Sequence, residues 1–410
     1  MKYFLYNIGI RVFHGLFLIA SLFHRKAKEI IKGRKKSKAE LKHIQIDKSV
    51  LWFHCASLGE WEQAIPIVDN LKQQGDFSII LSFYSSSGFL HAKRLDLVEW
   101  VFYLEVDFRH YHEAIFNKFK VSGLFFIKYD LWPNLIQVAI SREIPLFLLC
   151  ADVVEGSMYV KNNSFVHQLL HQFSWISCNA PLSQTLLLKS GLSEVYADGS
   201  TKLERAYNIS QEVFDMHLLD QWKDGQFVVI GGSVWPKEIE WLKKMRNGNL
   251  DVPFKMIIVP HEPKEEVVKK IQTEFGSESI LFSEMDIENI DKTCIIMDRV
   301  GYLSRLYRYG DIALVGGGFG KSIHNIAEPA TYGLPVVSGP NNKGFSEAEV
   351  FQEIGIYYVA NDYEDWIKIF KKANKSSIFR DEIRYKANQF FIQQKNAAKK
   401  VADRIMKSVK

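Results

Sequence analysis

"FHCASLGEWEQAIPIVDNL", residues 53–71, opens as an apolar run and closes with apolar residues at helical spacing. The run reads as a strand buried on both faces, and Ala64, Ile65, Val68 and Leu71 as the buried stripe of a helix. Proline fits the first turn of a helix, where its missing N–H is not needed, so Pro66 puts the helix start near residue 62 or 63. Ser57, Gly59 and Glu60 then fall in the loop between strand and helix. A carboxylate at such a corner complements the positive helix end, worth about 0.3–1 kcal/mol, or it serves as a general base. The corner alone leaves both readings open.

The same strand–helix alternation fills the 410 residues. Strand-like runs lie at 50–56, 77–83, 100–106, 123–129, 145–151, 175–180 and 194–199. Seven more lie at 227–233, 254–260, 279–284, 293–298, 311–317, 335–340 and 355–361. Most are apolar on both faces, as a parallel sheet between helix layers requires. Fourteen strands exceed one comfortable open sheet. The polar stretch 203–224 lacks a strand and divides them. The expected fold class is α/β, with two Rossmann-like, doubly wound domains facing a cleft and an N-terminal membrane-associated helix. The expected boundaries are 1–38 for an anchor with a basic flank, 39–205 for an acceptor-binding domain, 206–224 for a linker, 225–385 for a nucleotide-sugar-binding domain and 386–410 for a C-terminal helix.

Residues 3–23 are apolar except for Asn7, Arg11 and His14, which is long enough to span a bilayer core. Arg11 near the middle makes a full span costly, so an interfacial helix competes with it. The basic run 25–38 follows the apolar segment rather than preceding it, which disfavours a cleaved signal peptide and places the remainder on the cytoplasmic side. Its eight basic residues against one acid suit anionic lipid. No RNA- or DNA-binding module surrounds the run, so no nucleic-acid partner is expected. Cys55, Cys150, Cys178 and Cys294 have neither metal-ligand nor redox spacing, and no metal is expected. His110 and His112 read as the surface start of a helix.

A second chemical stretch is "ALVGGGFGKSIHNIAEPATYGLPVVSGP", 313–340. A strand runs into Gly316, Gly317 and Gly318, whose N–H groups offer a seat for a phosphate ahead of a helix N-terminus. His324, Asn325 and Glu328 are expected in the first turns of that helix, with Glu328 able to accept ribose hydroxyls. A Walker loop is excluded because Val315 stands at its first glycine position. Loops with capping chemistry also follow the runs ending near 127, 233, 260 and 298.

In these motifs the chain resembles the 3-deoxy-D-manno-octulosonic acid (Kdo) transferases of lipopolysaccharide biosynthesis, which have the GT-B glycosyltransferase fold. "SLGE" at 57–60 is similar to S-V-G-E, whose Glu is the family's catalytic base. "DLWPNL" at 130–135 resembles E-L-W-P-N-L, and "DGSTK" at 198–202 the G-S-x-K loop. "HNIAEPA" at 324–330 resembles H-N-P-L-E-P-A, followed by G-x-P-V-x-x-G-P at 333–340. The chain departs from the family at Lys128 and Asp130, which stand where the family has two acidic residues, E-x-E. It departs again at Trp235, Pro236 and Lys237, and at His261, which replaces an Arg.

The resemblance implies inverting transfer from CMP-Kdo to a lipid A precursor at the cytoplasmic face of the inner membrane, with no cofactor. It implies Glu60 as base, with Ser57, Gly59 and Asp130 near the acceptor. Ser233, His261, Gly301, Gly316, Gly317, Gly318, His324, Asn325 and Glu328 are implied for the donor, and Lys202 as a donor or hinge contact. Another GT-B enzyme, such as a UDP-sugar transferase or epimerase, and a non-catalytic nucleotide-sugar binder are the alternatives.

Overall fold

The computed structural model describes residues 2–409 apart from 249, 251 and 344. It divides into two compact units, Met1–Glu204 with Gln394–Lys410, and Arg205–Gln393.

The first unit is built on seven parallel strands: β1 (Val50–Cys55), β2 (Ser78–Phe83), β3 (Trp100–Tyr103), β4 (Val121–Ile127), β5 (Leu146–Ala151), β6 (Trp175–Cys178) and β7 (Val195–Ala197). Their order is β3-β2-β1-β4-β5-β6-β7. β1, β2 and β5 are buried along their whole length, the covered-sheet pattern the sequence led us to expect. The chain moves one way from β1 through β2 to β3, then returns to β4 on the other side of β1. The switch point therefore lies between the carboxyl ends of β1 and β4, where ligands of open α/β sheets bind.

The second unit repeats the plan with β8 (Val228–Val234), β9 (Lys255–Pro260), β10 (Ser279–Leu281), β11 (Cys294–Ile296), β12 (Ile312–Val315), β13 (Val336–Ser338) and β14 (Tyr357–Val359). The order β10-β11-β9-β8-β12-β13-β14 puts its switch point between β8 and β12.

Three helices matter for the first unit's site: α1 (Lys2–Phe23), α2 (Arg25–Glu40) and α3 (Leu58–Gln74). The expected start of α3 near 62 or 63 is corrected: the helix begins at Leu58 and runs through Pro66. An interior proline costs about 3 kcal/mol. Here Trp61, Ala64, Ile67, Val68 and Leu71 are fully buried, each contributing on the order of 1–3 kcal/mol, and the stripe outweighs the proline. The helix Ala397–Ser408 joins the same core through Val401, Ala402 and Ile405, so the C-terminal stretch expected at 386–410 is two helices, Ser377–Gln393 and Ala397–Ser408. Residues 206–224 hold the end of the helix Thr201–Gln211 and all of His217–Lys223.

α1 rests on the first unit by one stripe. Tyr6 Oη donates to Asp107, Asn134 Nδ2 donates to Asn7 at 2.8 Å, and His14 packs edge-on against Phe108. The rest of its surface is bare: Phe4, Leu5, Ile8, Val12, Leu16, Ile19, Leu22 and Phe23 are all exposed. In α2, seven of the eight basic residues point outward, and only Arg34 is buried. His112 corrects a surface expectation. It is buried, and its Nε2 lies 2.7 Å from Asp107. Asp107 also accepts from the backbone N–H groups of Asn134 and Leu135.

Candidate active site

Glu60 sits in the first turn of α3, not in a preceding loop. Its carboxylate accepts the Ala56 N–H and so ties the end of β1 to the helix. Burial pushes its pKa up and the Asp130 charge adds to this, while the Ala56 N–H, His54 and Lys128 pull against them. A half-buried carboxylate with a raised pKa at a switch point has the setting of a general base.

Asp130 follows β4, on the other side of the same switch point. Burial raises its pKa, but the His54 hydrogen bond and charge, helped by Trp132, outweigh burial and hold it below the usual range. Behind it runs a directed chain. The Trp52 indole donates to Ser82 Oγ at 2.9 Å, Ser82 lies 2.9 Å from His54 Nδ1, and His54 Nε2 lies 2.8 Å from Asp130. Because the indole can only donate, the Ser82 hydroxyl is free to donate to Nδ1, which leaves Nε2–H for Asp130. The sequence reading missed His54 and Ser82. Their signal was a polar residue inside each of two otherwise apolar strands. Lys128 takes a left-handed turn, φ 63°, at the end of β4. Ser57 is the extended residue capping α3, and Gly59 has open space around it. Lys202 lies in the first turn of the helix Thr201–Gln211.

In the second unit the glycine stretch differs from expectation. Gly316 N–H donates to Gly232 O at 2.9 Å, and Gly317 N–H donates to the Glu238 carboxylate at 3.0 Å. These two amides are committed within the unit, which corrects their reading as a ready phosphate seat. The need for glycine is steric: a Cβ on Gly316 would strike the Ser233 carbonyl, and one on Gly318 would strike Gly339. Gly317 also has φ +92°. Fully buried Glu238 accepts from Trp235 N–H through its other oxygen at 3.0 Å, and burial raises its pKa against these bonds.

The helix after the glycines is also shorter than expected, Ala327–Thr331, so His324 and Asn325 precede it and only Glu328 lies within it. Asn325 Oδ1 accepts the Ala327 N–H, and its Nδ2 donates to Glu328 at 3.0 Å. This turn spends the residues that would have extended the helix. His324 lies beside the indole of Trp235, whose Nε1–H donates to its Nε2 at 2.8 Å. The His261 ring stacks on both, 4.5 Å from Trp235 and 4.3 Å from His324. Burial, then the His261 charge, lowers the His324 pKa. Trp235 and His261 line a cavity of about 270 Å³. Ser233, at φ 51°, is the next-to-last residue of β8, and Val234 after it lines the same cavity. Gly301 lies apart, in an open turn after β11 with φ +90°.

Residues 26–205 match the family model for 3-deoxy-D-manno-octulosonic-acid transferase. The Kdo transferase of Aquifex aeolicus is 27% identical over 311 residues, 75% of this chain and 80% of its own length.

This chain is a homologue of the Kdo transferases.

The Rickettsia bellii Kdo transferase is 24% identical over 353 residues, covering 83% of this chain and 82% of that one. Among solved structures, a glycosyltransferase from Rickettsia africae superposes with a TM-score of 0.59 at 12% identity, over 89% of this chain and 99% of its own. At that identity the likeness bears on fold alone, and it agrees with two Rossmann-like units of the GT-B type.

Proposed function

We propose that the protein transfers Kdo from CMP-Kdo to a glucosamine hydroxyl of a lipid A precursor, with inversion and without a metal, at the cytoplasmic face of the inner membrane. The observation that carries the reading is Glu60: a carboxylate at the β1/β4 switch point, with its pKa raised, on the SLGE stretch that resembles the family's S-V-G-E and lies within the residues the family model matches. Glu60 takes the proton of the attacking hydroxyl as the C–O bond forms at the anomeric carbon. The bond to the CMP phosphate breaks, and the electron pair leaves with the phosphate, a stable anion that needs no strong acid. One base suffices for inversion. Ionised Asp130 keeps Glu60 basic and accepts from the acceptor sugar.

On the second unit, Ser233, His261, His324, Asn325 and Glu328 hold the cytidylate, with Gly316, Gly317 and Gly318 giving the loop its shape. Gly301 and Lys202 remain donor contacts in this reading. α1 lies in the membrane interface rather than across it, because contacts from Tyr6 to His14 hold it against the first unit.

The test is mass spectrometry of the product made by purified protein from CMP-Kdo and a tetra-acyl acceptor. Glu60→Gln is expected to lower transfer at least about 100-fold with CMP binding kept. Wild-type activity in that variant refutes the role of Glu60. A melting temperature raised by UDP and not by CMP points instead to a UDP-sugar enzyme.

A further inference from the structure

Two positions at which the chain departs from the family, Trp235 and His261, meet on a residue that it keeps, His324. The Trp235 and His324 rings are nearly coplanar, with 5° between their planes and 6.3 Å between centroids, so the indole N–H meets Nε2 edge to edge. His261 stacks across both rings. Gly317 backs the same edge of the imidazole: a Cβ there would lie 3.3 Å from Nε2. His324 N–H donates to Gly316 O at 3.0 Å, which anchors the backbone that carries the ring.

An indole N–H can only donate. Nε2 therefore accepts, and the ring proton resides on Nδ1, on the opposite edge, which has no hydrogen-bond partner among the described residues. A proton added at Nε2 would face the indole N–H and cost that bond, so the geometry opposes the imidazolium. Burial and then the His261 charge act in the same direction. The other charged groups on the surrounding elements have their own settings. Glu238, on the helix Pro236–Asn247, accepts from Trp235 and Gly317 N–H groups, and Glu328 accepts from Asn325. Glu262, next to His261, pairs with Lys264, and Lys321 is exposed. We propose that Trp235 is a positioning residue of the donor site: it holds His324 as a neutral ring whose Nδ1–H donates to the phosphate of the bound cytidylate. A neutral imidazole keeps its N–H, so it stabilises the departing phosphate by a hydrogen bond and transfers no proton. The proposal rests on the Kdo-transfer reading, in which His324 holds the cytidylate.

The full chain, labelled with ¹⁵N at histidine, is followed by NMR, the His324 signals being those missing from His324→Asn. The wild type is expected to carry its proton on Nδ1 alone. Trp235→Phe, which keeps a ring and removes the donor, is expected to mix the two tautomers and to protonate at higher pH. Binding is read by calorimetry with the phosphate methyl ester of CMP, a diester without the second ionisation that a monoester has near about pH 6. In the wild-type background, the factor by which His324→Asn weakens binding is expected to be the same at about pH 6 and pH 8. In the Trp235→Phe background that factor is expected to grow at least about threefold toward pH 6, as an imidazolium forms beside the phosphate. A wild-type proton on Nε2, a tautomer unchanged in Trp235→Phe, or an equal pH response in the two backgrounds overturns the proposal and leaves the transfer reading standing. If the wild type binds neither the diester nor CMP, the donor-site reading fails and the phosphate role falls with it. The NMR signals still decide whether Trp235 sets the His324 ring.

Discussion

The carboxylate of Glu60 is held in the first turn of α3, where burial lifts its pKa and the neighbouring Asp130 lifts it further. The folded chain therefore holds a proton on Glu60 to higher pH than the unfolded chain does. That contribution to stability is full below the unfolded pKa and is lost as pH rises through the raised folded value. An ionised Glu60 at neutral pH is thus a cost borne by the fold. Glu60→Gln keeps an oxygen for the Ala56 N–H and never ionises. We expect it to melt higher than wild type at about pH 7.5, with the gain vanishing toward about pH 4, in scans across that range. The wild-type kcat profile should show its acid limb above the ordinary carboxylate range, since only the ionised form accepts the hydroxyl proton. A variant less stable than wild type at neutral pH would contradict this assignment of the strain.

At the scale of elements, the strands were legible because parallel sheets between helices leave few places for polar residues, and each expected run overlaps one observed strand. The corners were less legible. Pro66 misled by its local rule, because the rule prices the lost hydrogen bond and not the core stripe that Trp61 and its neighbours bury. The glycines at 316–318 were readable as a tight loop, but not as one already pinned. Their partner, Glu238, lies about eighty positions earlier, and nothing local marks that contact. That pin makes a sharp prediction. Both Glu238 oxygens accept backbone N–H groups, from Trp235 and Gly317. Glu238→Gln retains one acceptor and turns an NH₂ toward the other donor. The expected loss is about 1–3 kcal/mol in urea unfolding, with weaker CMP binding because the loop beside His324 loosens.

At the scale of the molecule, the chain's path separates two tasks. The second unit is one uninterrupted segment, Arg205–Gln393, whereas the first is closed only when Gln394–Lys410 returns to it. That return is well anchored: Val401, Ala402 and Ile405 are buried with the α3 core, and the Trp175 indole donates to Ser408 Oγ at 3.0 Å. The second unit keeps its own sheet, and its core holds fully buried Trp222 and Trp366. A unit with its own core and an uncut chain can fold alone. We therefore expect residues 201–393, which include the whole of the helix Thr201–Gln211, to melt cooperatively and to bind CMP within about threefold of the full chain's affinity in calorimetry, well under one tenfold step. The fragment lacks Glu60 and should form no product. Removing only 394–410 should instead strip a core layer from the first unit, costing several kcal/mol through the lost apolar burial and abolishing transfer while CMP binding persists. Loss of CMP binding in the 201–393 fragment, despite a cooperative melt, would place part of the donor site outside the second unit and undo this division.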